Sequence, residues 1–211
     1  RMRPALGKVM SRTMELGRSF LVSDYQRKPA SLMLLWKGIL HVLLKHEEFR
    51  YLLGPVTISG EFRPASKLAL AAFLQNNYLH PRYAPCVKAR TGIAVRERID
   101  TSLLEGIGSM ELMVKLVGDI ENGARGVPIL IRKYLDVGSR VLSLNTDHDF
   151  SDALDALMLL DLKHVPEKTI LMLSKELSDI DVIKRFRDLG ADILPDRQRG
   201  LRRKRSRESE S

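Results

Sequence analysis

The run from Pro29 to His46 constrains this chain more than any other segment. Lys37, His41 and Lys45 recur every four residues, so they form one narrow polar stripe on an otherwise apolar cylinder. Leu32, Leu35, Trp36, Ile39 and Leu43 then need cover from elsewhere in the chain, which calls for a layered domain. Pro29 suits the first helical position, where its missing N–H is one of the amides a helix leaves unpaired. With 211 residues, 44% of them hydrophobic, the chain is long and apolar enough to bury such a core as a single domain. No apolar run reaches the roughly 20 residues a membrane-spanning helix requires, because Lys37 and His41 interrupt the longest candidate.

The elements around this helix alternate in type. Thr13 to Val22 is short, largely apolar and bounded by Ser23-Asp24, which predicts a strand; Gly17 inside it points to a bulge or to close approach of a ligand to the backbone. A second strand is expected over Tyr51 to Ile58, broken by Gly54-Pro55, and a second helix over Pro64 to Tyr78. Residues 79 to 108 are punctuated by Pro81, Pro85, Gly92, Gly106 and Gly108 and predict an extended, loop-rich connection. Ser109 is expected to cap a helix through Glu121, and Pro128 to begin a shorter one that Gly138 ends. Arg140 to Asn145 and Ala156 to Leu162 predict two strands separated by a loop carrying Asp147, Asp149 and Asp152. Pro166 then opens one helix, and Ser178 caps another that stops at Gly190. The predicted fold class is α/β (α+β), a mixed sheet with flanking helices.

Charge is distributed in blocks. The net charge is +9, and the last 15 residues, RQRGLRRKRSRESES, hold seven Lys/Arg against two Asp/Glu with one large apolar residue, Leu201. Burial there cannot offset the entropy of ordering, so a domain over 1–192 and a disordered basic tail over 193–211 are expected. Such a tail suits an anionic membrane surface or nucleic acid, or is a solvated terminus. The rest has no basic stripe with interleaved aromatics, so nucleic-acid recognition has little support. The single cysteine, Cys86, excludes a disulfide framework and a thiolate-rich zinc site within this chain, and a reducing, cytoplasmic compartment is the simplest expectation.

Chemistry concentrates at the start. The five histidines form no zinc motif, the aspartates near 150 lack the pattern of a calcium loop, and no phosphate loop or nucleophile elbow occurs, so no metal site is expected. By contrast, a strand carrying Glu15, Gly17, Arg18 and Ser19 runs through the polar corner Gln26-Arg27-Lys28 into a helix. Amides at the helix start and the positive end of its dipole suit a phosphate. Glu15 is the only carboxylate in that apolar strand. It is either functional, or paired with Arg18, or exposed at an edge.

The run Glu15-Leu-Gly-Arg-Ser-Phe20, with Tyr25-Gln26-Arg27 and Leu35-Trp36-Lys37-Gly38 after it, resembles the signature of GNAT-superfamily N-acyltransferases of the ornithine and glycine lipid (hemolysin) type, relatives of acyl-homoserine-lactone synthases. Tyr51 to Ser59, Gly126 to Leu135, Asp147 to Phe150 and Ala153 to Asp161 look similar in the same order, so the resemblance spans about residues 12 to 190. It implies transfer of a long-chain (3-hydroxy)acyl group from an acyl carrier protein, possessing an acyl-phosphopantetheine arm, to the α-amine of glycine or ornithine. In that reading Glu15 and Arg18 are catalytic, and Gly17, Ser19, Gln26, Arg27, Lys28 and Ser31 bind the acyl donor; no permanent cofactor is implied. Pro29 stands where the superfamily's phosphate loop has a glycine amide, which favours a carrier-protein donor over coenzyme A. Only 14 residues precede Glu15, so the resemblance also implies a missing strand-and-helix unit upstream. The alternative expectation is a non-catalytic module of the same fold that binds an acidic carrier or partner protein.

Overall fold

The computed structural model describes residues 6–17, 21–26, 28–93, 107–175 and 182–188. Within them a short helix α1 (Gly7–Met10) leads to strand β1 (Thr13–Glu15), and helix α2 (Pro29–Lys45) connects it to β2 (Tyr51–Ile58). Helices α3 (Pro64–Tyr78), α4 (Met110–Ile120) and α5 (Ile129–Asp136) follow, then strands β3 (Arg140–Asp147) and β4 (Ala153–Asp161), and finally α6 (Glu167–Ser174) and α7 (Val182–Arg187). The strands form one mixed sheet in the order β1-β2-β4-β3, with β1 parallel to β2 and the other pairs antiparallel. The expected α+β class is therefore observed.

Alternation along β2 separates the two faces of the sheet. Leu52, Val56 and Ile58 point to one face, where α3, α4 and α5 cover one end through Leu70, Phe73, Met113, Val117 and Ile131. At the other end of that face α2, α6 and α7 contribute Leu40, Leu43, Ile170, Val182 and Phe186. Tyr51 and Leu53 point the opposite way and pack against Leu6, Val9, Tyr83 and Leu142. Pro29 and Pro64 each occupy a helix start, and the Ser109 side chain accepts a hydrogen bond from Leu112 N, as their positions predict. Gly138, at φ +96°, follows the end of α5.

Three expectations need correction. First, β1 ends at Glu15, and residues 23–25 form a 3-10 turn, so the strand does not extend to Val22. The cause lies in its partner: Leu16 N donates to Leu53 C=O at 2.7 Å, and the next parallel rung would require an N–H from Pro55, which has none. Second, Gly54-Pro55 does not break β2. Residue 55 faces β1 rather than β4, so the antiparallel ladder to β4 continues past it. Gly54 is required there, since a Cβ would sit 2.8 Å from Leu16 C=O. Third, α2 is not covered nearly all round: Leu34 and Val42 are exposed. Strands β3 and β4 also extend two and three residues further toward their shared turn than predicted. Ser178, Gly190, residues 94–106 and the tail lie outside the described residues.

A buried carboxylate joins α3 to α4. Glu121 accepts hydrogen bonds from Ser66 Oγ at 2.6 Å and Arg63 N at 2.9 Å. The Ser66 bond is the main reason its carboxyl lies below the ordinary value of 4.5, against the opposing effect of burial. The unfolded chain therefore binds the proton more readily than the native one. The stabilisation is full above the unfolded value and is lost as pH falls through the folded one. Glu121→Gln should be less stable than the parent by about 1–3 kcal/mol at pH 7, with the gap closing below about pH 4. Urea unfolding of both chains across that range measures the gap.

Candidate functional site

Helix α2 brings the chain back beside β1. Its 17 residues span about 25 Å, and its C-terminal end adjoins the start of β1, where Arg50 N donates to Arg12 C=O. Its N-terminal end therefore lies toward the end of β1, beside Glu15, Leu16 and Gly17. There β1 and β2 part. Beyond Leu53 the edge of β2 that faces β1, including the N–H and C=O of Thr57, has no strand partner among the described residues.

An apolar cleft begins at this parting and runs between α2 and the sheet. Counted out to the open solvent at its mouth, the space not filled by atoms is about 840 Å³. Leu16, Gly54 and Pro55 line it from the strands, Trp36, Leu40 and Leu43 from α2, and Ile170 and Phe186 from α6 and α7. Polar groups are few: Tyr134, Ser139 and Thr169. Trp36 stacks on Tyr134 with ring centroids 6.0 Å apart, joining α2 to α5. Burial raises the Tyr134 phenol above its ordinary value of 10.0, against a smaller opposing effect of the hydrogen bond from the Trp36 indole.

The sequence-predicted residues fall around the parting. Glu15 is exposed at the end of β1, which corrects the picture of a carboxylate enclosed by an apolar strand. By alternation it faces away from the cleft, whereas Met14 and Leu16 pack on the cleft side. Gly17 is exposed two residues on, and a Cβ there would lie 3.7 Å from Glu15 Oε1, so the two share a side. Lys28 lies 5.1 Å from the centre of the Tyr25 ring, and Gln26 Nε2 donates to Leu21 C=O. Ser31 is buried and committed elsewhere: its hydroxyl donates to Tyr25 C=O at 2.6 Å and its N–H to Lys28 C=O. Of the first amides of α2, that of Ala30 remains without a partner among the described residues. Arg18, Ser19 and Arg27 lie outside those residues.

The other candidates are structural. Cys86 packs against the cluster of Tyr51 and Tyr83, as a small hydrophobe would. Asp147 accepts from Asp149 N and so closes the turn after β3. Sequence reasoning missed Tyr134, Ser139 and Thr169, the first two at or just past the end of α5 and the third about 30 residues on in α6. No known family model, curated protein or solved structure matches this chain.

Proposed function

We propose that the protein is an N-acyltransferase, moving a long-chain (3-hydroxy)acyl group from an acyl carrier protein thioester to the α-amine of glycine or ornithine in aminolipid synthesis. The observation that carries this reading is the apolar cleft that starts where β1 and β2 part. It suits a hydrocarbon chain, with the thioester lying at the parting itself. The amine approaches from the Glu15 side, so the two substrates meet from opposite faces of the sheet.

The reaction is direct attack. The amine nitrogen adds to the thioester carbonyl, backbone amides beside Gly17 hold the oxygen as charge develops, the carbon–sulfur bond breaks, and phosphopantetheine leaves as the thiol. Glu15 accepts the proton that the amine loses, directly or through water, and the departing thiolate takes it up in turn through water. Arg18 holds the acceptor carboxylate. The phosphodiester of the carrier arm meets Lys28, Arg27 and the amide of Ala30 at the positive end of α2. Ser31 supplies shape there rather than a donor, because its hydroxyl and N–H are already engaged. With Pro29 donating nothing, few contacts remain for a pyrophosphate, which favours a carrier-protein donor.

Those same limits on phosphate binding are what a non-catalytic binding module for an acidic carrier would also show, and the assay separates the two. Folded protein given long-chain acyl carrier protein and either amino acid should release an N-acyl amino acid; no product with either acceptor would overturn the enzymatic reading. Location follows the chemistry of the product, and we place the protein in the cytoplasm at the membrane periphery. The seven cations after Asp196 contribute about 1 kcal/mol each near an anionic leaflet. No helix among the described residues is long and apolar enough to cross a membrane.

Occupancy of the cleft is testable without turnover. Trp36 is the only tryptophan and lines the cleft. A fatty acid brominated near its carboxyl end should quench its fluorescence saturably, and Leu40→Phe, which narrows the cleft without adding a second tryptophan, should weaken that binding at least about tenfold. Quenching that rises linearly without saturation would show that the chain does not enter.

A further inference from the structure

Three helices on one face of the sheet present apolar side chains to solvent. Leu34 and Val42 on α2 are 61% and 41% exposed, Leu171 and Met172 on α6 are 52% and 45%, and Ile129 and Leu130 on α5 are 62% and 44%. These are six of the eleven large hydrophobic residues exposed among the described residues. Each helix buries its opposite side against the same face of the sheet, through Leu40 and Leu43, Ile170, and Ile131 and Leu135. The six therefore point away from the sheet on one side of the molecule. Contacts between α2 and α6, and the stacking of Trp36 on Tyr134, make the three helices neighbours.

Cations are interleaved with them. Lys45, Lys133, Lys168 and Lys175 are exposed on the same helices or at their ends, and α2 contains no acidic residue. The exposed acids of these helices are Glu167 and Asp136, while Glu47 and Glu48 follow α2 at its far end. Scattered apolar tips between lysines, on a layer of helices lying side by side, match the interface of an anionic bilayer: apolar groups enter the headgroup boundary and lysine heads reach the phosphates. A protein partner of comparable affinity would call for a compact apolar centre with a polar rim.

We infer that this helical face docks on an anionic lipid surface. The docking is separate from the basic tail and does not depend on the acyl-transfer reading.

The test is flotation of the full chain with phosphatidylcholine vesicles with and without phosphatidylglycerol. Binding should require the anionic lipid. Leu34→Ser with Leu171→Ser should weaken it at least about tenfold. Lys45→Gln with Lys168→Gln should weaken it about twenty-fivefold, since each cation near the leaflet is worth about fivefold. All four positions are exposed, and melting curves report that both variants fold. Both losses should persist in a full-length chain whose seven tail cations are changed to Gln. Equal binding by parent and both face variants overturns the inference, as does binding that disappears with the tail cations alone. So does a parent that ignores vesicles while the same variants abolish binding to an acidic carrier protein or dissociate a dimer.

Discussion

Replacing Asp161 by alanine should cost about 3–5 kcal/mol of folding stability. Asp161 ends β4 opposite Tyr51 and accepts two hydrogen bonds from the Arg50 guanidinium, at 3.0 Å to Nε and 2.6 Å to Nη2. The Arg50 side chain is 5% exposed and lies 4.9 Å from the centre of the Tyr51 ring. Alanine would leave that cation buried without its carboxylate, and the desolvation penalty would no longer be offset. The same carboxylate accepts from Lys163 N, fixing the turn whose Leu162 and Val165 line the cleft. Urea unfolding should show the loss, and Arg50→Met with Asp161→Leu should recover most of it, since removing both charges leaves none unpaired. A loss below about 1 kcal/mol for Asp161→Ala would mean that water reaches Arg50 and the pair acts as a surface bridge.

That pair was not legible in the sequence, and its spacing explains why. Its partners are 111 residues apart, so no local pattern connects them. Local chemistry was readable where it decides structure on its own. Pro29 and Pro64 mark helix starts and Ser109 a cap, because each acts within one turn of where it stands. The length of β1 could not be read that way. Thr13 to Val22 has a strand's composition, but Pro55 on the neighbouring strand ends the pairing, and only the register of the two reveals it. The exposed side of α2 was misread for a related reason. Apolar periodicity puts Leu34 on the Lys37–His41–Lys45 stripe, so its exposure was readable; Val42 lies off that stripe, has the same chemistry as Leu40 and Leu43, and differs from them only in what lies opposite.

The candidate site divides along the same line. Glu15, Gly17 and Lys28 were visible as chemistry on a short stretch of chain, and that stretch does lie at the mouth of the β1–β2 parting. The cleft was not visible, because its walls come from α2, α5, α6, α7, strands β2 and β4 and the residue after β1, most of them ordinary core residues. Trp36 stood out only as a large side chain needing cover, which Tyr134 partly supplies from nearly a hundred positions away.

The carboxylate at the parting gives the sharpest test of the proposed chemistry. Glu15→Gln should lower the rate of N-acyl product formation by about 10²–10⁴, the range for losing a general base. The substitution keeps the side chain's size and removes its capacity to take a proton. Stability should stay within about 0.5 kcal/mol, since the side chain is exposed and no hydrogen bond to it is seen among the described residues. Quenching of Trp36 by the brominated fatty acid should also be unchanged, because Glu15 faces away from the cleft. The combination matters more than the rate alone: a slow enzyme with intact stability and intact acyl binding has lost a step of chemistry. Unchanged product formation would remove Glu15 from the mechanism. Weakened acyl binding at an unchanged maximal rate would instead put the carboxylate beside the donor, and the amine would then have to enter from the cleft side of the sheet.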